Sequence, residues 1–245
     1  MIVQDGTGFL WLGTVDGLYK FDGNSSTSIS KEHPVLKQEI TALFIDEKQT
    51  TWIGTKTGKV YFITRNKLDS LVFPEKTQPE KITSICQLNA YLFIGTYGTG
   101  IYCYTKKGLA HYTVENGLSD DVIYKITCNK KNTVWCGTDG GITEINLTGE
   151  TPEFKIISDK TGLPDNIVRN IAIDEDRLMI SMQDSGVCYY NLKNNQIEKN
   201  SFFMNWTMGA VLNSTTNNEK KMVVATEKKG LFIFENGGVS IYNYD

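Results

Sequence analysis

Two histidines, His33 and His111, are the first places to look for a general base or a metal ligand in the 245 residues. Neither stands in a metal-ligand pattern: His111 falls in a run that reads as a strand, and His33 precedes Pro34 in a loop. The five cysteines, Cys86, Cys103, Cys128, Cys136 and Cys188, form no Cys-x-x-Cys pair, and each falls within a predicted strand. They read as small buried hydrophobes. Cys128 and Cys136 lie on consecutive strands around the turn at 129–132 and could face each other across a ladder, while the odd count argues against a disulfide scaffold. The glycine-rich Gly95-Thr-Tyr-Gly-Thr-Gly100 has the outline of a phosphate loop. It lacks the Lys-Ser/Thr and the following helix, so a strand turn is the better reading. Asp174-Glu-Asp-Arg177 and Ser119-Asp-Asp121 are acidic turns without calcium-loop spacing. There is no Gly-x-Ser-x-Gly elbow and no nucleophile with a partnered base. The sequence predicts no catalytic site, no metal and no cofactor.

Composition is that of an ordinary globular protein, with 40% hydrophobic and 22% charged residues. A net charge of −3 and a pI near 5.5 give no electrostatic case for nucleic acid or an anionic membrane. No apolar run approaches the roughly 18 residues of a spanning helix, so direct membrane insertion is not expected. The opening residues, Met1-Ile-Val-Gln-Asp5, lack the regions of a signal peptide.

The elements that would position any binding residues come from a repeat. Phe9-Leu-Trp-Leu-Gly-Thr-Val-Asp-Gly-Leu-Tyr-Lys-Phe21 reads as an apolar strand ending in Gly13-Thr14, a tight turn closed by Gly17, and a second apolar strand. The pattern returns at Thr51–Thr55 with Gly58, at Leu92–Thr96 with Gly100 and at Val134–Thr138 with Gly141. Weaker copies follow at Leu178–Met182 with Gly186 and at Met222–Thr226 with Gly230. Anchored on Gly13, Gly54, Gly95, Gly137, Ser181 and Ala225, the steps are 41, 41, 42, 44 and 44 residues. That period, with several short strands per unit, predicts an all-β fold: a β-propeller of six four-stranded antiparallel blades. The expected domain is a single propeller over 1–245, with blades near 1–33, 34–75, 76–116, 117–160, 161–204 and 205–245.

Each unit divides into strands A to D. The A strands are read at 2–4, 40–45, 82–87, 122–128, 167–173 and 208–213, and the D strands at 26–30, 70–73, 110–114, 154–158, 196–203 and 239–244. Strands such as Ile40–Ile45 are apolar on both pleat faces, as expected of sheets sandwiched between neighbours. No window carries a convincing helical period. The glycine between strands B and C is expected at positive φ, and the threonine before it is expected to hold the turn by bonding local backbone. Trp11, Trp52 and Trp135 occupy one equivalent position, with Phe93 and Met179 in other copies, and read as core packing.

The repeat Asp5-x5-Trp11-x-Gly13-Thr14-x-x-Gly17-Leu18 resembles the two-component regulator propeller repeat. The linkers Asn116-Gly-Leu-Ser-Asp-Asp-Val122 and Thr161-Gly-Leu-Pro-Asp-Asn-Ile167 resemble that family's Gly-Leu-Ser/Pro-x-Asn-x-Ile/Val lead into the next blade. The resemblance covers essentially the whole chain, strongly in units one to four. It implies the non-catalytic periplasmic sensor portion of a bacterial hybrid two-component receptor, and by analogy an oligosaccharide ligand. It further implies an upstream signal sequence and, downstream, more repeats, an immunoglobulin-like domain, a membrane span and signalling domains. The family usually has seven blades, so the six counted here could be part of a seven-bladed propeller, and the chain is expected to be a piece of a longer receptor whose remainder is one partner. In a bacterial protein the sequons at Asn24, Asn146, Asn205 and Asn213 carry little meaning.

Because strands alternate direction, B–C turns and D–A linkers are expected on one face of the propeller. The turns bring Asp16, Lys56, Tyr97, Asp139, Asp184 and Lys228, and the linkers bring Asn116, Asp120, Asp165, Asn166 and Trp206. The candidate ligand-binding residues are Tyr97, Trp206, Asp16, Asp139, Asp184, Asn116 and Asn166. Aromatic rings amid Asp and Asn side chains suit the apolar face and hydroxyls of a sugar. The alternatives are a protein-docking scaffold, or a propeller lyase or glycosidase with carboxylates converging on a channel. The first unit opens at its own inner strand and the last ends at its own outer one, so no strand is expected to be exchanged at closure. Apolar faces of the first and last blades would then invite self-association as a homodimer.

If Trp52 is wedged between blades, Trp52→Ala is expected to cost about 3–5 kcal/mol through the cavity left behind. Urea unfolding measures it, and a loss under about 1 kcal/mol, typical of surface changes, would put strand B in the wrong place.

Overall fold

Each repeat folds into one antiparallel sheet whose four strands are consecutive in sequence. The computed structural model describes residues 1–74, 78–129, 131–198, 211–216, 222–226, 230–235 and 238–242. The fold is a β-propeller of six four-stranded blades. Blade one is β1 (Ile2–Gln4), β2 (Leu10–Thr14), β3 (Gly17–Phe21) and β4 (Ser26–Ser28). Blade two is β5 (Ile40–Ile45), β6 (Thr51–Thr55), β7 (Val60–Thr64) and β8 (Lys67–Ser70). Blade three is β9 (Ile82–Leu88), β10 (Tyr91–Thr96), β11 (Ile101–Thr105) and β12 (Gly108–Tyr112). Blade four is β13 (Ile123–Cys128), β14 (Thr133–Thr138), β15 (Gly141–Asn146) and β16 (Glu153–Ile157). Blade five is β17 (Val168–Asp174), β18 (Arg177–Met182), β19 (Val187–Asn191) and β20 (Gln196–Glu198). Blade six is β21 (Val211–Thr216), β22 (Met222–Thr226), β23 (Leu231–Glu235) and β24 (Gly238–Tyr242). The only helical pieces among the described residues are three-residue 3-10 turns, and no helix is long and apolar enough to cross a membrane.

The chain divides into two compact units, Met1–Thr113 with Asp121–Ile123, and Val114–Asp120 with Tyr124–Asp245. In the first, Trp11, Leu18, Ile40, Leu43 and Ile53 form a core between blades one and two, and Val60, Ile82, Ile85, Ile94 and Tyr102 form one between blades two and three. In the second, Trp135, Ile142, Val168, Ile171 and Ile180 join blades four and five. Met179, Val187, Tyr189, Val224 and Phe232 join blades five and six. Burying each such side chain stabilises the fold by about 1.5–3 kcal/mol. The two-faced apolar strands are therefore filled as the sequence demands. Trp11 and Trp135 are 7% and 2% exposed, whereas Trp52 is only half-buried, packed on Phe62 with ring centroids 4.8 Å apart.

The glycine next to the end of strand B is required by the next blade in blades one, two and four. A Cβ on Gly13 would lie 2.8 Å from Ile40 Cγ2, and one on Gly137 would lie 2.9 Å from Val168 Cγ1. On Gly54 it would collide with Ile82 Cγ2. In each case a branched residue opening the next inner strand occupies the missing side chain's volume. Blades five and six carry Ser181 and Ala225 at this position.

The Asp-x5-Trp spacing has an equally definite meaning. Asp5 Oδ1 accepts the backbone N–H groups of Thr7 and Phe9 at 3.0 and 3.1 Å, and Oδ2 accepts the Trp11 indole N–H at 3.0 Å. Asp46 repeats this with Lys48, Thr50 and Trp52 at 2.9, 2.8 and 3.1 Å. One carboxylate thus closes the A–B turn and fixes the indole of the returning strand. In blade four Asn129 keeps the two turn bonds, to Lys131 and Thr133 at 2.9 and 3.1 Å. An amide has only one oxygen, and the Trp135 indole turns instead to Glu144 at 3.4 Å.

Several strand ends differ from expectation. Strand D of blade two is Lys67–Ser70 rather than 70–73, because Arg65 and Asn66 both take positive φ (50° and 63°) and reverse the chain in two residues. No glycine marks that turn, so the sequence hid it. In blade three Gly108 pairs directly with Thr105 and starts β12 two residues early. Strand β4 ends at Ser28 in a 3-10 turn, and the part of the expected 196–203 strand beyond Glu198 lies outside the described residues. All five cysteines lie in strands, and none is in a disulfide. Burial pushes the Cys103 and Cys188 thiols up to about 12, well away from reactive thiolate chemistry.

Burial works to raise the Asp5 carboxyl, but the hydrogen bonds from Thr7, Trp11 and Lys20 outweigh it and hold the group well below the ordinary range. A carboxyl depressed in the folded state adds stability above its unfolded value near 4, and that stability is lost as pH falls. Asp5→Asn keeps the turn bonds and removes the indole acceptor and the 3.1 Å ion pair with Lys20. It is expected to cost about 1.5–3 kcal/mol at neutral pH, with the difference from wild type shrinking below about pH 4. Urea unfolding across pH measures it; a pH-independent difference would contradict the assignment.

Candidate functional site

The turns between strands B and C are built alike. Thr14, Thr96, Thr138 and Thr226 each donate their hydroxyl to the carbonyl of Gly17, Gly100, Gly141 and Gly230, at 2.9, 2.7, 3.0 and 3.0 Å. In blade two Thr55 does the same to Lys59 O at 3.1 Å. The closing glycines take positive φ, as Gly58 does at 78°. Both expectations for these turns hold. The turns of blades two to five are each tied to a D–A linker within their own unit. Lys56 N–H donates to Glu39 O at 3.1 Å and Tyr97 N–H to Lys81 O at 2.9 Å in the first unit. In the second, Gly141 N–H donates to Asn166 O at 2.8 Å and Gln183 N–H to Ile167 O at 2.9 Å. Within each unit, turns and linkers therefore share one end of the blades.

The anticipated binding residues fall on these segments with different freedom. In the first unit, Asp16 and Tyr97 are exposed, Tyr97 at 46%. Lys56 is committed to Glu39 at 2.8 Å. In the second unit, Asn116 is exposed at the end of the Val114–Asn116 3-10 turn, and Asp184 is exposed in the blade-five turn. Asn166 is partly spent on structure, its Oδ1 accepting Asp159 N–H at 2.8 Å. Asp165 is spent similarly on Ile167 and Asp184 N–H groups at 3.0 and 2.9 Å. The fold thus brings Asp165 to Asp184, and the Asp139 turn to the Asn166 linker. Asp120 is half-buried on its linker. Trp206 and Lys228 lie outside the described residues.

One group on these segments escaped the sequence reading. Asp139 accepts the Tyr124 hydroxyl at 2.8 Å, the Arg169 guanidinium lies 4.1 Å from the centroid of the Tyr124 ring, and Arg169 donates to Gln183 Oε1. All four side chains are half-buried. Arg169 is a bulge residue: Val168 pairs with Met182 and Asn170 with Ser181, leaving Arg169 between them. Thr41 and Thr83 sit at the same bulge in blades two and three. Bulges re-aim a side chain, and here they turn the second residue of the inner strand out of the ladder. Aligning the inner strands on Ile40, Ile82, Ile123 and Val168 would have revealed the change from Thr to Tyr124 and Arg169.

The opposite end of the second unit holds a cavity of about 410 Å³ lined by Asn129, Lys131, Trp135, Glu144, Asp176 and Lys193. Its charges are largely answered internally: Lys193 and Asp176 pair at 2.6 Å, which lowers the carboxyl and raises the ammonium. His111 is likewise occupied, stacked on Tyr102 at 4.2 Å with Nε2 donating to Thr99 O at 2.7 Å.

The turn–linker contact is tight enough to test. A Cβ on Gly58 would collide with the Pro79 carbonyl, at a φ that L-residues rarely adopt. Gly58→Ala is expected to lose about 1–3 kcal/mol from backbone strain alone. A thermal shift indistinguishable from wild type would show that the turn does not bear on the linker.

No protein-family model and no curated protein matches the chain. Solved structures do. The extracellular domain of BT3049 from B. thetaiotaomicron, described as a hybrid two component system, is 19% identical with a TM-score of 0.79, over 100% of this chain and 34% of that one. That of BT4673 from the same organism, described as a one component system, is 18% identical with a TM-score of 0.82, over 100% of this chain and 33% of that one. Virginiamycin B lyase from Staphylococcus aureus is 15% identical with a TM-score of 0.76, over 99% of this chain and 83% of that one. The chain spans about a third of the length of the two extracellular domains. At these identities the likeness is one of fold: this β-propeller has the same chain path as part of the extracellular domains of those signalling systems.

Proposed function

We propose that the chain is a non-catalytic, ligand-sensing propeller of a bacterial two-component receptor, acting outside the cytoplasmic membrane and recognising an oligosaccharide. The supporting observation is the fold likeness to the two B. thetaiotaomicron extracellular domains over the whole of this chain. The repeat and linker motifs support the same reading. In each unit the turn-and-linker end supplies chemistry that suits a sugar: exposed Tyr97 and Asp16 in the first, and Asn116, Asp139 and Asp184 in the second. In this reading the partners are the rest of the receptor chain and a second copy of it, and the place of action is the periplasm.

Catalysis is the second reading, favoured by the likeness to virginiamycin B lyase. It needs a free acid–base pair. His111 is held by Tyr102 and Thr99, which leaves the sensing reading the stronger.

A glycan array probed with the 245-residue chain, followed by calorimetry on the hits, tests the proposal. The expected result is binding to one structural class of oligosaccharide with no change in the glycan on prolonged incubation. Tyr97→Ala is expected to weaken binding about tenfold, the loss of roughly 1.4 kcal/mol of ring–sugar contact. An array without hits would overturn the saccharide ligand, and a cleaved glycan would overturn the non-catalytic assignment.

A further inference from the structure

We propose that Arg169, backed by Tyr124 and flanked by Gln183 and Asp139, is an anchor for a carboxylate on the ligand, so that the saccharide recognised is an acidic one. The inference rests on the saccharide reading above and goes beyond it in naming the chemical class.

The same blade shows what completes such an arrangement. Arg177 lies over Tyr189, its guanidinium 4.2 Å from the ring centroid, and it meets Asp174 at 2.7 Å and Glu198 at 3.5 Å. Arg169 lies over Tyr124 at 4.1 Å in the same way. No carboxylate lies within 4 Å of it among the described residues. Its hydrogen-bond partner is the neutral oxygen of Gln183. A guanidinium carries five donors in a planar fork, so most of this fork is unspent. A half-buried cation without a counter-ion is costly to keep, and a ligand carboxylate would answer it with paired, charge-assisted bonds.

The fork is also held in advance. The Tyr124 ring is fixed by its hydroxyl bond to Asp139, and the Gln183 backbone is fixed on Ile167. Ordering cost is thereby removed from binding. Asp139 uses one oxygen on Tyr124, and its other oxygen can accept a sugar hydroxyl. A cation for the acid and an acceptor for a hydroxyl, both held against Tyr124, describe a uronate more closely than a simple organic acid.

The experiment uses a panel in which each uronate-bearing oligosaccharide is paired with its carboxyl-reduced form. The wild-type chain is expected to bind an acidic member at least about tenfold more tightly than its neutral pair, the scale of one charged hydrogen-bond set. Arg169→Gln is expected to bring both to the neutral affinity, and Arg169→Lys to recover only part of the difference. Unchanged neutral binding by the Gln variant, together with an unchanged thermal midpoint, separates loss of the anchor from misfolding. Equal wild-type affinity for acidic and reduced forms overturns the proposal and leaves the saccharide reading standing, as does an Arg169→Gln variant that still discriminates. Loss of neutral binding along with acidic binding would make Arg169 a structural residue and also overturn it. Binding to no glycan at all overturns both readings.

Discussion

The blades depend on a contact between a glycine and a branched side chain one repeat further on. Ile40 and Val168 press against Gly13 and Gly137 with no room for a Cβ, and Ile82 does the same to Gly54. Close packing of this kind fixes how near adjacent sheets approach and leaves the inner strands in register with their neighbours. In blades two to four the threonine after the glycine is buried and its hydroxyl closes the turn. Gly-Thr is therefore two constraints written side by side, one facing the next blade and one facing the chain's own return.

Much of the architecture could be read from this pairing. Glycine and threonine at a 41–42-residue spacing, with weaker copies 44 residues apart, announced the sheets, the B–C turns and the positive φ at their ends, because those are local backbone demands. Positions that depend on cross-strand chemistry were harder to see. Asp5 was visible only as spacing to tryptophan, since its meaning, which Asp46 repeats, needs an indole on one strand to meet a carboxylate on a turn. The early start of β8 was hidden because Arg65 and Asn66 make a two-residue reversal without glycine.

The candidate site was legible in outline and not in its strongest member. Topology placed turns and linkers together, and Asp139 was named for that reason. The guanidinium beside it was passed over because a bulge, invisible without the register, turns Arg169 out of the strand. Conversely, Lys56 and Asp165 looked available in sequence, yet the fold uses Lys56 for an ion pair with Glu39 and Asp165 as a cap on two N–H groups. Polarity at a loop is common. What distinguishes a binding group is whether the fold has already satisfied it.

The glycine contact also has a direction. Each glycine is covered by a residue that lies later in the chain: Gly13 by Ile40, Gly54 by Ile82, Gly137 by Val168. A blade of this kind emerging from the ribosome therefore has its own four strands but not the side chain that seals its B strand, which lies 27 to 31 residues beyond the glycine. During synthesis the most recently made sheet would always be the incompletely covered one, and each new inner strand would both begin its own blade and finish the one before. Blades one, two and four are in this sense laid like overlapping shingles, each secured by the next.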